Sequence, residues 1–229
     1  MSEATGDFAG FGAEAVEFFR GLEADNSREY FEAHRVVWEA AVRAPMGALL
    51  AELAPRFGGK FRVFRQERRA RFSRDRSPYK LKTYGVVAPR AGSGAALYVE
   101  VSSAGLFAAS GYYELAPDQL ARYRAAVADE TRGVELEQLL QDAVARGLSV
   151  SGAVAGAPRG TAKNHPRLAL LRHHSLLYGA RLGAEEPALG ERAALEFVSD
   201  TWKRGARVTA WLDENVGASE KSDARGRRR

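Results

Sequence analysis

Arg65, Arg68 and Arg71 recur at a three-residue spacing, and Phe72-Ser73-Arg74-Asp75 and Ser77-Pro78-Tyr79-Lys80 follow at once. A guanidinium is a planar fork that grips phosphate or carboxylate oxygens in pairs, a lysine adds a point charge, and a hydroxyl such as Ser73 donates from a third direction. These residue types suit one anion, with Asp75 orienting the arginines and Tyr79 packing or stacking on the ligand. The charge around them is concentrated. Lys60 to Lys82 holds ten Lys/Arg against two acids, a local +8, while the whole chain carries +5. The last ten residues add +3, which leaves −6 for the remainder. So many like charges repel one another unless an anion neutralises them, so the Arg-rich segment 62–82 is expected to bind a phosphorylated or polyanionic ligand. Phe61, Phe64, Phe72, Tyr79 and Tyr84 are interleaved with the charges, as in proteins that stack on bases. A nucleotide and a nucleic acid are both open as ligands. In the competing reading the aromatics are sheet core and the arginines pair with acids elsewhere in the chain.

The other residues capable of chemistry give less. With no cysteine in the chain, disulfides, thiolate zinc sites and thiol nucleophiles are excluded together. Gly58-Gly59-Lys60 lacks the spacing and the hydroxyl of a phosphate-binding P-loop, and Gly92-Ser93-Gly94 is not a nucleophile elbow. The four histidines include the adjacent pair His173-His174, whose side chains point apart on a helix and cannot chelate together. No metal and no cofactor is expected. The first residues have neither a basic n-region nor an apolar core, and no apolar run approaches the ~20 residues of a membrane helix, so a cytoplasmic protein without a membrane partner is expected.

Positioning these groups requires a scaffold, and the hydrophobic periods outline one. Val16, Phe18, Phe19 and Leu22 make a helical stripe that breaks at Ala24-Asp25-Asn26. Asn26 stands where an N-cap would, with Glu29 in a capping-box relation, ahead of a helix carrying Phe31, His34, Trp38 and Ala41. Pro45 should kink that helix or divide it. Phe61 and Val63, then 83–88, then Leu97, Val99 and Val101, then 106–110 read as strands, the last two joined by a hairpin turn at Ser103-Ala104-Gly105. Helices follow from Pro117 and around Leu136 to Val144, then a loose segment 149–163, a short helix after Pro166, a strand over 176–182, and a last helix from Pro187 to Leu212. The reading is α+β: one domain over 8–216 with an antiparallel sheet covered by helices, then a disordered basic tail over 217–229. On a straight strand a three-residue spacing sends successive arginines to opposite faces, so their convergence requires a bend or loop after Phe64.

The run from Phe64 to Lys80, FRQERRARFSRDRSPYK, resembles the central signature of a bacterial family of unknown function, domain of unknown function 2461. Asn26-Ser27-Arg28-Glu29-Tyr30-Phe31 is similar to its N-terminal element, Ser110-Gly111-Tyr112 with Pro117 and Leu120 to its middle, and His165-Pro166 with Leu170-Leu171-Arg172 to its later helix. The resemblance covers most of residues 11 to 212 and implies a single α+β domain, with no activity attached. Two departures stand out: Arg69 where the family pattern has Asp, and His174 where it has Lys. Three readings remain open. The first is a binding module for a phosphorylated small molecule or nucleic acid. The second is an enzyme on a phosphorylated substrate, with Glu29, Glu67, Asp75 or His165 carrying the proton. The third is a structural or partner-binding protein with internally paired arginines.

Overall fold

The segment just before the arginine cluster leaves a helix and enters an antiparallel ribbon. This is seen in a computed structural model, which describes residues 7–68, 76–88 and 93–220. Helix α1 (Ala13–Ala24) buries Val16, Phe18, Phe19 and Leu22, the stripe read from the sequence. Helix α2 (Arg28–Ala33) is capped by Ser27, whose Oγ accepts from the Tyr30 N–H at 3.0 Å, not by Asn26. A single turn, α3 (Arg35–Val37), leads into a π-helical segment over Trp38–Arg43, and α4 runs over Ala44–Phe57. Pro45 lies at the start of α4, where its missing N–H costs least. The helix read through Phe31, His34 and Trp38 is interrupted at His34, and from Arg35 the backbone stays helical through the π turn into α4, so Pro45 marks a change of helix type and not a gap.

Strands β1 (Phe61–Val63), β2 (Lys82–Val87), β3 (Ala96–Ser102), β4 (Gly105–Tyr112), β5 (Ser149–Ala153) and β6 (His173–Leu182) make an antiparallel sheet in the order β1-β2-β3-β4-β6-β5. β1 pairs with β2 in the register Phe61↔Val87, Arg62↔Val86 and Val63↔Gly85, and α4 packs on both strands. With α5 (Pro117–Ala128), α6 (Glu130–Ala145), the short α7 (Leu168–Leu171), α8 (Ala193–Arg204) and α9 (Ala206–Asn215), the chain is a single α+β domain, as its patterning implied. Two expectations are corrected. The loose segment 149–163 begins with β5, whose Ser-Val-Ser-Gly-Ala sequence carries too little apolar alternation to announce a strand. The last helix, expected from Pro187, instead follows a separate 3-10 turn over Pro187–Gly190 and is divided at Gly205, where a Cβ would lie 2.5 Å from the Tyr178 ring, so the backbone there approaches closer than any side chain permits.

The residues group into two compact units. The first takes in Met1–Ala88, Tyr98–Ala108 and Arg181–Asp200, and the second Pro89–Leu97, Ala109–Ala180 and Thr201–Arg229. The first is centred on buried aromatic rings: Phe18 meets Phe19 and Phe31 edge to face, and Phe31 tilts against Trp38 at 5.3 Å. The second buries Tyr112, Tyr123, Leu136, Leu176, Trp211 and Leu212 as one cluster. Its buried Arg167 donates to the Val127 carbonyl at 2.7 Å and to those of Ala128 and Asp129, satisfying the end of α5. No helix of the described residues is long and apolar enough to cross a membrane.

Candidate anion-binding cleft

The β1–β2 ladder continues beyond its regular part. The Phe64 N–H donates to Tyr84 O at 3.0 Å, Lys80 N–H to Gln66 O at 3.0 Å, and Arg68 N–H to Pro78 O at 2.8 Å. Between the first two of these bonds Arg65 alone stands opposite Leu81, Lys82 and Thr83, so the ribbon bulges there and turns its face. The ribbon thus bends just after Phe64, one of the two forms, bend or loop, that convergence of the arginines would require. It is held by buried polar groups. Gln66 and Thr83, each 1% exposed, bond to each other at 2.7 Å, the Trp38 indole N–H donates to Thr83 Oγ1 at 3.0 Å, and Gln66 Nε2 donates to the Lys80 carbonyl. Each member has a partner, and such a closed network fixes one geometry where a partly satisfied one would not.

Asn26 supplies the second clamp. Its Nδ2 donates to Tyr79 O and its Oδ1 accepts the Tyr79 N–H, both at 3.1 Å, so the amide pairs with one residue of the ribbon as a neighbouring strand would. The Tyr79 ring, 6% exposed, stacks on Phe31 at 4.2 Å. Asn26 and Tyr79, from two separate elements of the sequence signature, therefore meet. The ring face expected to stack on a ligand is used against Phe31, and burial raises the Tyr79 pKa from its ordinary value.

Against the bulge lies an open cleft of about 730 Å³. Arg62, Arg65 and Lys80 line it from the ribbon, Arg35 and Arg43 from the helical side, and among the described residues Glu39 and Glu67 are the acids of its wall. Arg35 is engaged, at 2.7 Å from Glu32. No carboxylate of the described residues pairs with Arg43, Arg62 or Arg65. Arg43 instead lies over the Trp38 ring at 5.8 Å and Arg62 over Phe64 at 4.8 Å, contacts that hold a guanidinium without neutralising it. Lys80 Nζ donates to the Arg65 carbonyl and lies 5.3 Å above the Tyr84 ring. Burial first, then Arg65, lowers its pKa from the ordinary lysine value, with Glu67 opposing.

Of the residues singled out in the sequence, Arg65 and Lys80 come together in the cleft, Arg68 follows on the same ribbon, and Tyr79 is buried behind it. Arg71, Ser73 and Asp75 lie outside the described residues, as does Arg69. Glu67 lines the cleft, Glu29 is exposed on α2, and His165 belongs to the second unit, where its Nδ1 accepts from the Arg167 N–H at 3.1 Å. His174 lies 3.1 Å from an Arg124 nitrogen through Nε2. Arg35, Glu39 and Arg43 were missed, although their spacing of four puts them on one side of the chain. A charged helical stripe is ordinarily a solvated face, which conceals such a role. Among the described residues no group of three or more His, Asp or Glu side chains could hold a metal ion. A family described as Conserved hypothetical protein (DUF2461) matches residues 14–211, a span that includes every cleft residue named above. Comparison with curated proteins gave no match.

Proposed function

The chain belongs to the DUF2461 family of conserved hypothetical proteins, and we propose that it is a cytoplasmic module that binds a phosphorylated ligand in the cleft of its first unit. One observation carries this reading: Arg43, Arg62 and Arg65 share an open cleft with Lys80, and none of the three has a carboxylate partner among the described residues. Cations that outnumber the acids around them and pair with none repel one another, and a phosphate group inserted among them converts that repulsion into charge-assisted hydrogen bonds. Arg65 and Arg62 would supply forks from the ribbon, Arg43 a third from the π-helical segment, and Lys80 a point charge whose lowered pKa an anion would restore. Internal pairing, the competing structural reading, accounts for Arg35 and not for these three.

A second reading keeps the same residues and adds a reaction. Glu39 and Glu67 are carboxylates in the cleft wall, and in this reading one of them would carry a proton while the arginines stabilise charge developing on a phosphoryl group. Calorimetric titration with adenosine 5′-monophosphate and with inorganic pyrophosphate tests the first reading. Wild type should bind at least one of them saturably, and Arg65→Ala should weaken it by about 1.5–3 kcal/mol, the range for hydrogen bonds to charged groups. The melting temperature should not change. No saturable binding of either, or an Arg65→Ala variant that binds as well as wild type, would defeat it. Phosphate release from pyrophosphate, abolished by Glu67→Gln, would favour the enzyme.

A further inference from the structure

The cations of the first unit do not end at the cleft. Phe64 and Tyr84, which line it, begin an aromatic row across the sheet: their rings stack at 4.6 Å, and Tyr84 leans on Tyr98 at 5.6 Å. By the two-residue period of strands, Tyr98 and Glu100 share one face of β3, on which Lys82 of β2 lies 5.8 Å from the Tyr98 ring. Arg181 of β6 lies 5.1 Å over the Phe107 ring of β4. Lys82 and Arg181 flank the Glu100 carboxylate at 2.5 and 3.7 Å, and the Tyr98 hydroxyl donates to it. Both cations are exposed, whereas Glu100 is 7% exposed, so the acid lies beneath the positive heads. The rings are half-buried.

From the cleft this row continues through Lys82 to Arg181. Arg62 is on β1 and Arg181 on β6, four strand spacings away in the order β1-β2-β3-β4-β6. At about 4.8 Å per spacing that is roughly 19 Å, beyond the reach of one nucleotide. We infer that the occupant of the cleft is one end of a single-stranded nucleic acid, whose phosphates follow Arg62, Lys80, Lys82 and Arg181 across the open sheet face. This rests on the cleft reading above and chooses between its nucleotide and nucleic-acid forms. The chemistry commits to a polynucleotide rather than a bare phosphate chain, because the half-buried rings of Phe64, Tyr84 and Tyr98 leave apolar surface that bases can cover and inorganic phosphate cannot. The ring faces are already taken by one another and by the cations, so recognition falls mainly on the backbone and depends little on sequence.

Fluorescence anisotropy of a labelled twelve-residue oligothymidylate tests this on the full chain, with thymidine monophosphate, inorganic tripolyphosphate and a twelve-base-pair duplex as competitors. The oligothymidylate should bind more tightly than the monophosphate, and its log K should fall with log salt at a slope of about −3, as for roughly four phosphate contacts to a single strand. Arg181→Ala, an exposed position outside the cleft, should weaken the oligothymidylate about threefold to tenfold, lower that slope by about 0.7, and leave tripolyphosphate binding unchanged. An oligothymidylate no tighter than the monophosphate, with Arg181→Ala silent and Arg65→Ala damaging, would overturn the strand proposal and leave the cleft reading standing. Failure of every anion to bind would overturn both. A duplex that competes better than the single strand, or tripolyphosphate that competes equally, would overturn the single-stranded occupant. If Arg181→Ala lowers the melting temperature, Arg181→Gln repeats the measurement on a side chain that retains polar contact.

Discussion

Replacing Asn26 by alanine should destabilise the protein more than removing the true helix cap beside it. The Asn26 amide makes two bonds, both at 3.1 Å, to the carbonyl and N–H of Tyr79, a residue whose side chain is stacked in the core. Without the amide, both backbone groups lose their partner at a part-buried position. At 1–3 kcal/mol for each unsatisfied group, and with water reaching this half-buried site, the loss is about 2–4 kcal/mol. Ser27→Ala removes one Oγ···H–N bond at the start of α2 and should cost about 1 kcal/mol. Urea unfolding measures both. With m near 3 kcal/mol/M, Asn26→Ala should lower the midpoint by about 1 M and Ser27→Ala by a third of that. Asn26→Asp keeps an acceptor for the Tyr79 N–H but loses the donor to its carbonyl, so it should fall between. If Ser27→Ala costs as much as Asn26→Ala, the clamp carries no more than a cap and the reasoning fails.

Thr83→Val deletes the hydroxyl that joins Trp38 to Gln66 and should cost about 1–3 kcal/mol while weakening pyrophosphate binding, since the bulge that sets Arg65 is then held by fewer bonds; unfolding and calorimetry report the two effects separately. At Gly85 a Cβ would lie 2.3 Å from Leu50 Cδ1, so Gly85→Ala should cost about 1–3 kcal/mol, read from the urea midpoint. Burial lowers the His173 pKa, with hydrogen bonds to the Ser175 and Ser151 carbonyls opposing. The unfolded chain then takes up a proton that the folded one resists, so stability is held above about pH 6.5 and lost as pH falls below it; His173→Asn should flatten melting temperature against pH below about 6.5.

The fold was largely legible because its signals are local. The stripe in α1, the alternation of Leu97, Val99 and Val101, and Pro45 at the start of α4 each declare an element without reference to distant residues. β5 was not legible, since Ser149–Ala153 owes its strand state to pairing with β6, where Val150 faces Tyr178. Gly205 gave no warning either, because the close approach of Tyr178 that requires it is tertiary. For the site, the sequence showed where cations are dense and that their convergence would need a bend or loop. It could not show that Arg35 and Arg43 join Arg62, Arg65 and Lys80 in one cleft. Nor could it distinguish Asn26 as a cap from Asn26 as a clamp on Tyr79, because an asparagine ahead of a helix fits both and only the long-range contact decides.

Tungstate soaked into crystals of the full chain, located by its anomalous signal, puts the anion cleft to the most direct test. The account predicts an ion within hydrogen-bond distance of the Arg65 guanidinium and of at least one of Arg43, Arg62 and Lys80, lost in Arg65→Ala crystals grown alike. An ordered, solvent-open cleft that stays empty while tungstate occupies other basic positions would contradict it.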